Sequence, residues 1–323
     1  MLRFALPFAI GFALMAGPTQ AQQATADYPN HTVKIIVPST PGGGTDTFAR
    51  LVGQALSDSL GQTFYIENRG GGGTLIGMEA AARSANDGYT LYVAPSTITL
   101  LPLVKKHMPV HLSDFAPVTL ASVLPQVLIV HPSVPAKTVQ EFIALAKKQP
   151  GKLTYGSPGI GTGPQMAMQL LANKAGIDLQ HIPYKGVANV LTDLLAGRLT
   201  GMMLNATSAI PHIQAGTLRA LGVTSAKRLD SLKDVPTVAE QGLPGFEALQ
   251  WFGVLVPAGT PKPIIDKLQQ AIAKGLTTEK VKARLKLEGA EPGGDTPEEF
   301  AKFLQEEDTK WTAVAKAAHI VPQ

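Results

Sequence analysis

Apolar and polar positions change their period repeatedly along this chain. Val33 to Val37 is an apolar, β-branched run that stops at Pro38, and it predicts a buried strand. A loop of small residues follows, Ser39-Thr40-Pro41-Gly42-Gly43-Gly44-Thr45. Beyond it Phe48, Leu51, Val52, Ala55 and Leu56 keep helical spacing, which predicts a helix over 45–60 that ends at Gly61. A strand near 63–67, the glycine run Gly70 to Gly73, a short helix near 75–83 and a strand over 89–94 continue the alternation. In the middle of the chain, Thr138-x-x-Glu141 is a capping box for a helix over 139–148. Strand 152–156, helix 163–175, strand 179–184, helix 187–196 and strand 199–204 come next. Such alternation predicts parallel sheets built from βαβ units. Pro-flanked strands at 127–130 and 253–256 predict two crossings between lobes. The last third reads as mostly helical. Pro261 and Pro297 are placed as first-turn prolines, and Thr296-x-x-Glu299 caps a final helix with an apolar face of Phe300, Phe303, Leu304, Trp311 and Val314.

The beginning of the chain has a different character. Arg3, the apolar stretch Phe4 to Ala16, Gly17-Pro18 and the small residues ending at Ala21 predict a cleavable secretory leader over 1–21, and hence a periplasmic product. That stretch is too short for a permanent membrane span. The chain contains no cysteine, so disulfides, thiolate metal sites and cysteine nucleophiles are excluded. Charged residues make up 16%, and the net charge of +4 is scattered, without the basic stripe of a nucleic-acid binder.

The candidate chemistry lies at strand ends. The loop over 39–45 joins a strand to a helix start, where glycines let backbone approach a ligand and the first N–H groups lack intrahelical partners. It is neither a nucleotide P-loop nor a dinucleotide fingerprint. Three further ends resemble it: Pro95-Ser96-Thr97, Ser157-Pro158-Gly159-Ile160-Gly161-Thr162-Gly163 and Asn205-Ala206-Thr207-Ser208. In open α/β sheets ligands bind beyond the carboxyl ends of strands. These loops offer hydroxyls, amides and backbone N–H but no Lys or Arg, which suits a carboxylate held by hydrogen bonds and helix dipoles. The same residue types also serve as helix caps and turns. Asp46 has two readings, a helix-start cap or an acceptor for a ligand ammonium or hydroxyl. Catalytic motifs are wanting: His107 and His111 flank Pro109 without a partnering Glu, no Gly-x-Ser-x-Gly elbow exists, and no nucleophile–base pair is expected at the strand ends. Glu306, Glu307 and Asp308 read as a solvated helix face, and Trp251-Phe252 as packing.

Across the mature chain, the segments IVPSTPGGGTDTFAR (36–50), ENRGGGG (67–73), NDGYTL (86–91), DFAPVTL (114–120), LTYGSPGIGT (153–162), HIPYKG (181–186), LRALGVTS (218–225), VPTVAEQGLPGFE (235–247) and WFGVLVPAGTP (251–261) occur in this order. Together they resemble the Bug-type solute receptors, the substrate-binding subunits of tripartite tricarboxylate transporters. The resemblance implies an α/β, two-lobed periplasmic binding protein of type II, each lobe a mostly parallel sheet flanked by helices. Lobe 1 would comprise 22–127 and 226–323, and lobe 2 128–225. It implies a monomer without cofactor, metal or nucleic acid that closes on a small carboxylate and serves membrane transporter subunits. An extracytoplasmic α/β enzyme and a ligand-presenting sensor subunit are the alternatives. Carried onto this chain, ligand contacts would come from Ser39, Thr40, Gly43, Gly44, Thr45, Asp46, Ser96, Thr97, Ser157, Gly161, Thr162, Gln165, Asn205, Ala206 and Thr207. Tyr184-Lys185-Gly186 matches as a strand end near the cleft wall. The chain departs from the family at Ser39, where an aromatic is common, at Gln165, where histidine is frequent, and at Thr74-Leu75, which replaces a glycine–polar pair.

Overall fold

The Val33–Val37 run is β1 of a computed structural model that describes residues 27–42, 44–287, 290–317, 320 and 322. The expected leader over 1–21, Gly43 and His319 lie outside the described residues. Helix α1 (Gly44–Leu60) leads to β2 (Phe64–Asn68), α2 (Leu75–Ala82), β3 (Thr90–Pro95) and a single turn, α3 (Thr97–Leu100). Then comes β4 (Phe115–Val130), which runs for 16 residues. Beyond it lie α4 (Val139–Lys148), β5 (Thr154–Ser157), α5 (Gly163–Ala175), β6 (Gln180–Pro183), α6 (Val187–Leu195), β7 (Gly201–Asn205), α7 (Ala206–Gln214) and β8 (Arg219–Val223). The chain ends with β9 (Leu249–Pro257), α8 (Lys262–Leu276), α9 (Glu279–Leu287), β10 (Glu291–Pro292) and α10 (Pro297–Ala317).

The βαβ alternation yields two parallel groups, β2–β1–β3 and β6–β5–β7. Antiparallel β9 and β4 join them, giving the order β2-β1-β3-β9-β4-β7-β5-β6, with β8 and β10 also on β4. Each group is flanked by helices, and β1, β3 and β7 are buried on both faces while the edge strands β2 and β6 are partly exposed. Val33, Ile35 and Val37 point into one apolar cluster with α1 and α8, while Ile36 points into another with α2 and α10. In the second lobe Leu128 and Val130 face α4 and α5, and Val127 and Ile129 face α6 and α7.

The crossing strands differ from expectation. The segment 127–130 is only the end of β4, whose earlier part pairs with β9 from Phe115 to Pro125. Pro117 and Pro125 hid the strand, because proline removes a ladder donor. The ladder accommodates this with register shifts between Pro117 and Thr119 and between Leu120 and Ser122. From Gln126 to Val130 the same strand pairs with β7. Likewise the expected strand 253–256 belongs to the longer β9. Before it, residues 229–248 pack on the second lobe: Leu229 and Leu232 join the cluster beneath α6 and α7, and Val238, Leu243 and Phe246 join that beneath α4.

The last helix corrects one expectation. Glu306 and Asp308 are exposed, but Glu307 is buried and its Oε2 accepts from the indole N–H groups of Trp251 and Trp311. Trp251 is indeed packing, fully buried against Phe300 and Phe303. The capping boxes at Thr138 and Thr296 give their hydroxyl oxygens to the N–H groups of Glu141 and Glu299. Pro297 opens α10 as expected, whereas Pro261 sits one position earlier, as the cap of α8.

Candidate functional site

The strand-end loops come together in two pairs. A methyl group built on Gly44, at the start of α1, would lie 3.2 Å from Asn205 Nδ2, which precedes α7. One built on Gly163, at the start of α5, would lie 3.2 Å from Ser96 Oγ and 3.8 Å from Gln126 Nε2. The two 3.2 Å approaches are tighter than a side chain at these helix starts would ordinarily leave. Gln126 and Asn205 are direct partners in the β4–β7 ladder, so the two pairs adjoin. A third contact closes the side: Gly73 of the glycine run meets the Ile160 carbonyl, which a methyl group on Gly73 would approach to 3.0 Å. Below it, Gly161 (φ +76°) lies on Leu101 and Val104.

Within this region the expected residues divide by hydrogen bonding. Ser39 Oγ, Ser96 Oγ, Asn205 Oδ1 and Thr207 Oγ1 are buried and have no hydrogen-bond partner. Thr97 and Ala206 are buried, Thr45 half-buried, and Thr40 and Gly44 exposed. Ser157, Thr162, Gln165 and Asp46 are already committed. The Ser157 hydroxyl donates to the Gly159 carbonyl at 3.0 Å, and the Thr162 hydroxyl donates to the same carbonyl at 2.7 Å. Gln165 Oε1 accepts from the Gly161 N–H at 3.2 Å. Ser157 and Thr162 therefore hold the loop's shape rather than offering free hydroxyls, and Gln165 ties its amide oxygen to the same loop.

Asp46 is 3% exposed and accepts from Gly42 N–H, from both Nε and Nη2 of Arg50, and from Asn68 Nδ2, at 2.9 to 3.1 Å. Burial works against its charge, but the Arg50, Gly42 and Asn68 hydrogen bonds outweigh it and hold the carboxyl below its usual range. The structural reading of Asp46 is thus realised as a tie between loop and helix. With that carboxylate satisfied, the cleft's electrostatics come from the N-termini of α1, α5 and α7. Each supplies about half a positive charge. Together they can balance one carboxylate without Lys or Arg.

A serine–histidine pair, unexpected at the strand ends, does exist. Ser157 Oγ lies 2.7 Å from His181 Nε2. Its arrangement is that of a strut. Ser157 is fully buried, donates to Gly159 O and accepts from Gly159 N–H, so the imidazole enters as donor rather than base. Burial lowers the His181 pKa to about 4, and its ring stacks on Tyr155. Tyr184, the strand end expected at the cleft wall, donates to Asp193 at 2.6 Å, and its N–H donates to the Ser157 carbonyl. Lys185 is exposed. His107 and His111 are exposed too, and among the described residues no cluster of three or more metal-ligating side chains occurs.

Several polar groups here escaped the sequence reading. Gln126 is 1% exposed with Oε1 unpartnered, and the hydroxyls of Thr74 and Tyr155 are buried beside Tyr92 and Gln165. Burial pushes the Tyr155 hydroxyl up to about 12. Gln126 carried a usable signal: it is the lone amide in the apolar run Leu124 to Val130, next to a predicted crossing. Thr74 carried one only with its backbone known, since its φ of +87° is unusual for a β-branched residue.

Comparison with known proteins places these features. The model of the tripartite tricarboxylate transporter family receptor matches residues 48–320. Among solved structures, R. palustris Rpa4515 with adipate is similar at a TM-score of 0.88 and 36% identity, covering 92% of this chain and 100% of that one. The periplasmic binding protein BugD superposes at 0.85 with 32% identity, covering 92% and 100%. MatC from Rhodopseudomonas palustris with bound malate superposes at 0.82 with 31% identity, covering 89% and 100%.

Proposed function

This chain belongs to the tripartite tricarboxylate transporter receptor family, and we propose that it works in the periplasm as a monomeric receptor for one small carboxylate. The acid enters the cleft between the lobes, the lobes close, and the loaded form delivers it to the family's membrane subunits. The observation that carries this reading is the set of buried, unpartnered oxygens on Ser39, Ser96, Asn205 and Thr207 beside three helix N-termini. Buried polar atoms without partners are costly, and a ligand that satisfies them recovers that cost on binding. The adipate and malate of the related structures are the chemistry this array suits. Of the fifteen residues expected to touch ligand, Ser39, Ser96, Asn205 and Thr207 are proposed as direct contacts, with Gly44 and Gly163 as close backbone.

The proposed lobe division follows the packing. The chain leaves lobe 1 at Pro125–Gln126 and returns near Ala248, so 226–248 goes with lobe 2 instead of lobe 1 as the sequence suggested.

A thermal-shift screen of mono-, di- and tricarboxylates tests the reading. A binder at 100 times its dissociation constant should stabilise the fold by about 2.7 kcal/mol. Solution scattering should then show compaction with that acid. If no carboxylate raises the melting temperature, the receptor reading fails.

The Ser157–His181 contact motivates a second reading, an esterase-like enzyme. The hydroxyl's bonds to Gly159 argue against it. Turnover of small esters that disappears in Ser157→Ala would establish this second reading.

A further inference from the structure

Resting on the receptor reading, we propose that Glu307, a buried carboxylate on α10, is a positioning residue for ligand binding: through Trp251 and Trp311 it fixes the turn that carries Ser96 and Thr97. Ser96 is held by its backbone. Its N–H donates to the Trp251 carbonyl at 3.0 Å, and its own carbonyl accepts from the N–H and the hydroxyl of Thr99 at 3.2 and 2.9 Å. The Ser96 hydroxyl has no partner. Where that hydroxyl sits is therefore set by the place of Trp251 on β9 and by the course of α3.

Side chains alternate along β9, so the Trp251 ring points away from the face that carries its neighbours. Those neighbours lie at the candidate site: a methyl group built on Gly163 would be 3.8 Å from Gln250 Cδ, and one on Gly44 would be 3.7 Å from the Phe252 ring. Trp251 instead packs with Phe300 and Leu304 of α10. Glu307, 7% exposed, receives its indole N–H at 3.0 Å. The same oxygen receives the indole of Trp311 at 3.0 Å, and Lys310 reaches the other oxygen at 3.2 Å. Trp311 joins the apolar cluster that holds Leu100, Leu101 and Val104, the far end of the Ser96 turn. Gly161, in the 157–163 loop, lies on Leu101 and Val104 from the other side. One indole thus stands behind the start of the turn and the other in the cluster at its end. Hydrogen bonds are directional, so a carboxylate shared between them fixes both rings as an apolar filler could not.

Calorimetric titration of the purified full chain tests this, with the tightest wild-type binder among acetate, succinate, malate, adipate and citrate as the probe. Glu307→Leu should weaken that acid roughly tenfold, the size of one hydrogen bond to a charged group. Glu307→Gln keeps an oxygen for the indoles and should stay within about threefold of wild type. A double-mutant cycle separates positioning from plain structure. With the hydroxyl already removed in Ser96→Ala, adding Glu307→Leu should cost no more than about threefold further. Trp311→Phe keeps a ring in the cluster but drops the N–H; it should weaken binding by roughly fivefold and replaces Glu307→Leu in the cycle if that variant does not fold. A lowered melting temperature with unchanged affinity in both variants would make Glu307 structural and overturn the inference. Full additivity with Ser96→Ala, or a loss in Glu307→Gln as large as in Glu307→Leu, would overturn it too. The receptor reading stands in each of these cases. If none of the five acids binds wild type, the receptor reading falls first and this inference with it.

Discussion

The indole N–H of Trp251, on β9, donates to Glu307 Oε2 at 3.0 Å, and the indole of Trp311 donates to the same oxygen at 3.0 Å from α10 itself. Lys310 reaches the other oxygen at 3.2 Å. One carboxylate thereby fastens the last helix to the central sheet. Glu307→Leu leaves two buried N–H groups unpaired, and each hydrogen bond to a charged group contributes about 1.5–3 kcal/mol. The expected loss is about 3 kcal/mol in urea unfolding, with a smaller loss for Glu307→Gln. These are the only two tryptophans in the chain, so their fluorescence should change with the same substitution. An unchanged urea midpoint for Glu307→Leu would show that the pair of bonds adds nothing.

Asp46→Asn should destabilise the protein by about 1–2 kcal/mol, because an amide cannot accept at both positions from Arg50, Asn68 and Gly42. Affinity should fall a few-fold for every acid alike as the 39–44 loop loosens. The folded carboxyl lies below its ordinary value. Its stabilisation is therefore complete above the unfolded carboxyl range, near pH 4, and is lost as pH falls through the lower folded value. The stability gap between wild type and Asp46→Asn should narrow below about pH 4 in acid titrations followed by circular dichroism. A gap that stays constant to pH 2 contradicts this account.

His181 adds to the acid sensitivity in a higher pH window. Its folded pKa is about 4 because burial disfavours the charged ring. Between the unfolded value near 6.5 and that folded value, the unfolded chain binds a proton the native one does not. Stability should therefore decline as pH drops through this window, by up to about 1.4 kcal/mol per pH unit, and level off below it. His181→Gln keeps a donor for Ser157 and should flatten the slope. Equal slopes in the two proteins, measured by chemical denaturation at each pH, would exclude His181 as its source.

Thr74→Gly should stabilise the fold by about 1 kcal/mol. Thr74 is the one non-glycine residue with positive φ among the described residues, and such strain costs roughly 1–3 kcal/mol. Its hydroxyl makes no cap bond to α2. A lower melting temperature for Thr74→Gly would mean the threonine is favourable where it stands.

The fold was legible wherever one period ran undisturbed. Val33–Val37 and the helix Gly163–Ala175 fall where apolar spacing and glycine stops agreed, and the strand expected over 152–156 falls at Thr154–Ser157. The long strand β4 was truncated because Pro117 and Pro125 look like breaks until a bulged ladder absorbs them. Loop residues that gather at the cleft were visible by type. Which of them had free hydrogen-bonding capacity was not, because Ser157 and Ser96 are the same letter and differ only in what lies within 3 Å. Glu307 was misread for a similar reason: its partner Trp251 is 56 residues away in sequence.

Because β4 borders β9 with one half and β7 with the other, neither lobe can be excised with all its strands paired. A truncation on either side of Gln126 would bare a row of backbone donors and acceptors, an open edge that recruits other chains. The same strand delays self-assembly. Phe115 finds its partner Pro257 only after most of the chain exists, and such distant pairings slow folding. The two lobes should therefore melt in one cooperative transition, and fragments meant to isolate either should aggregate rather than fold.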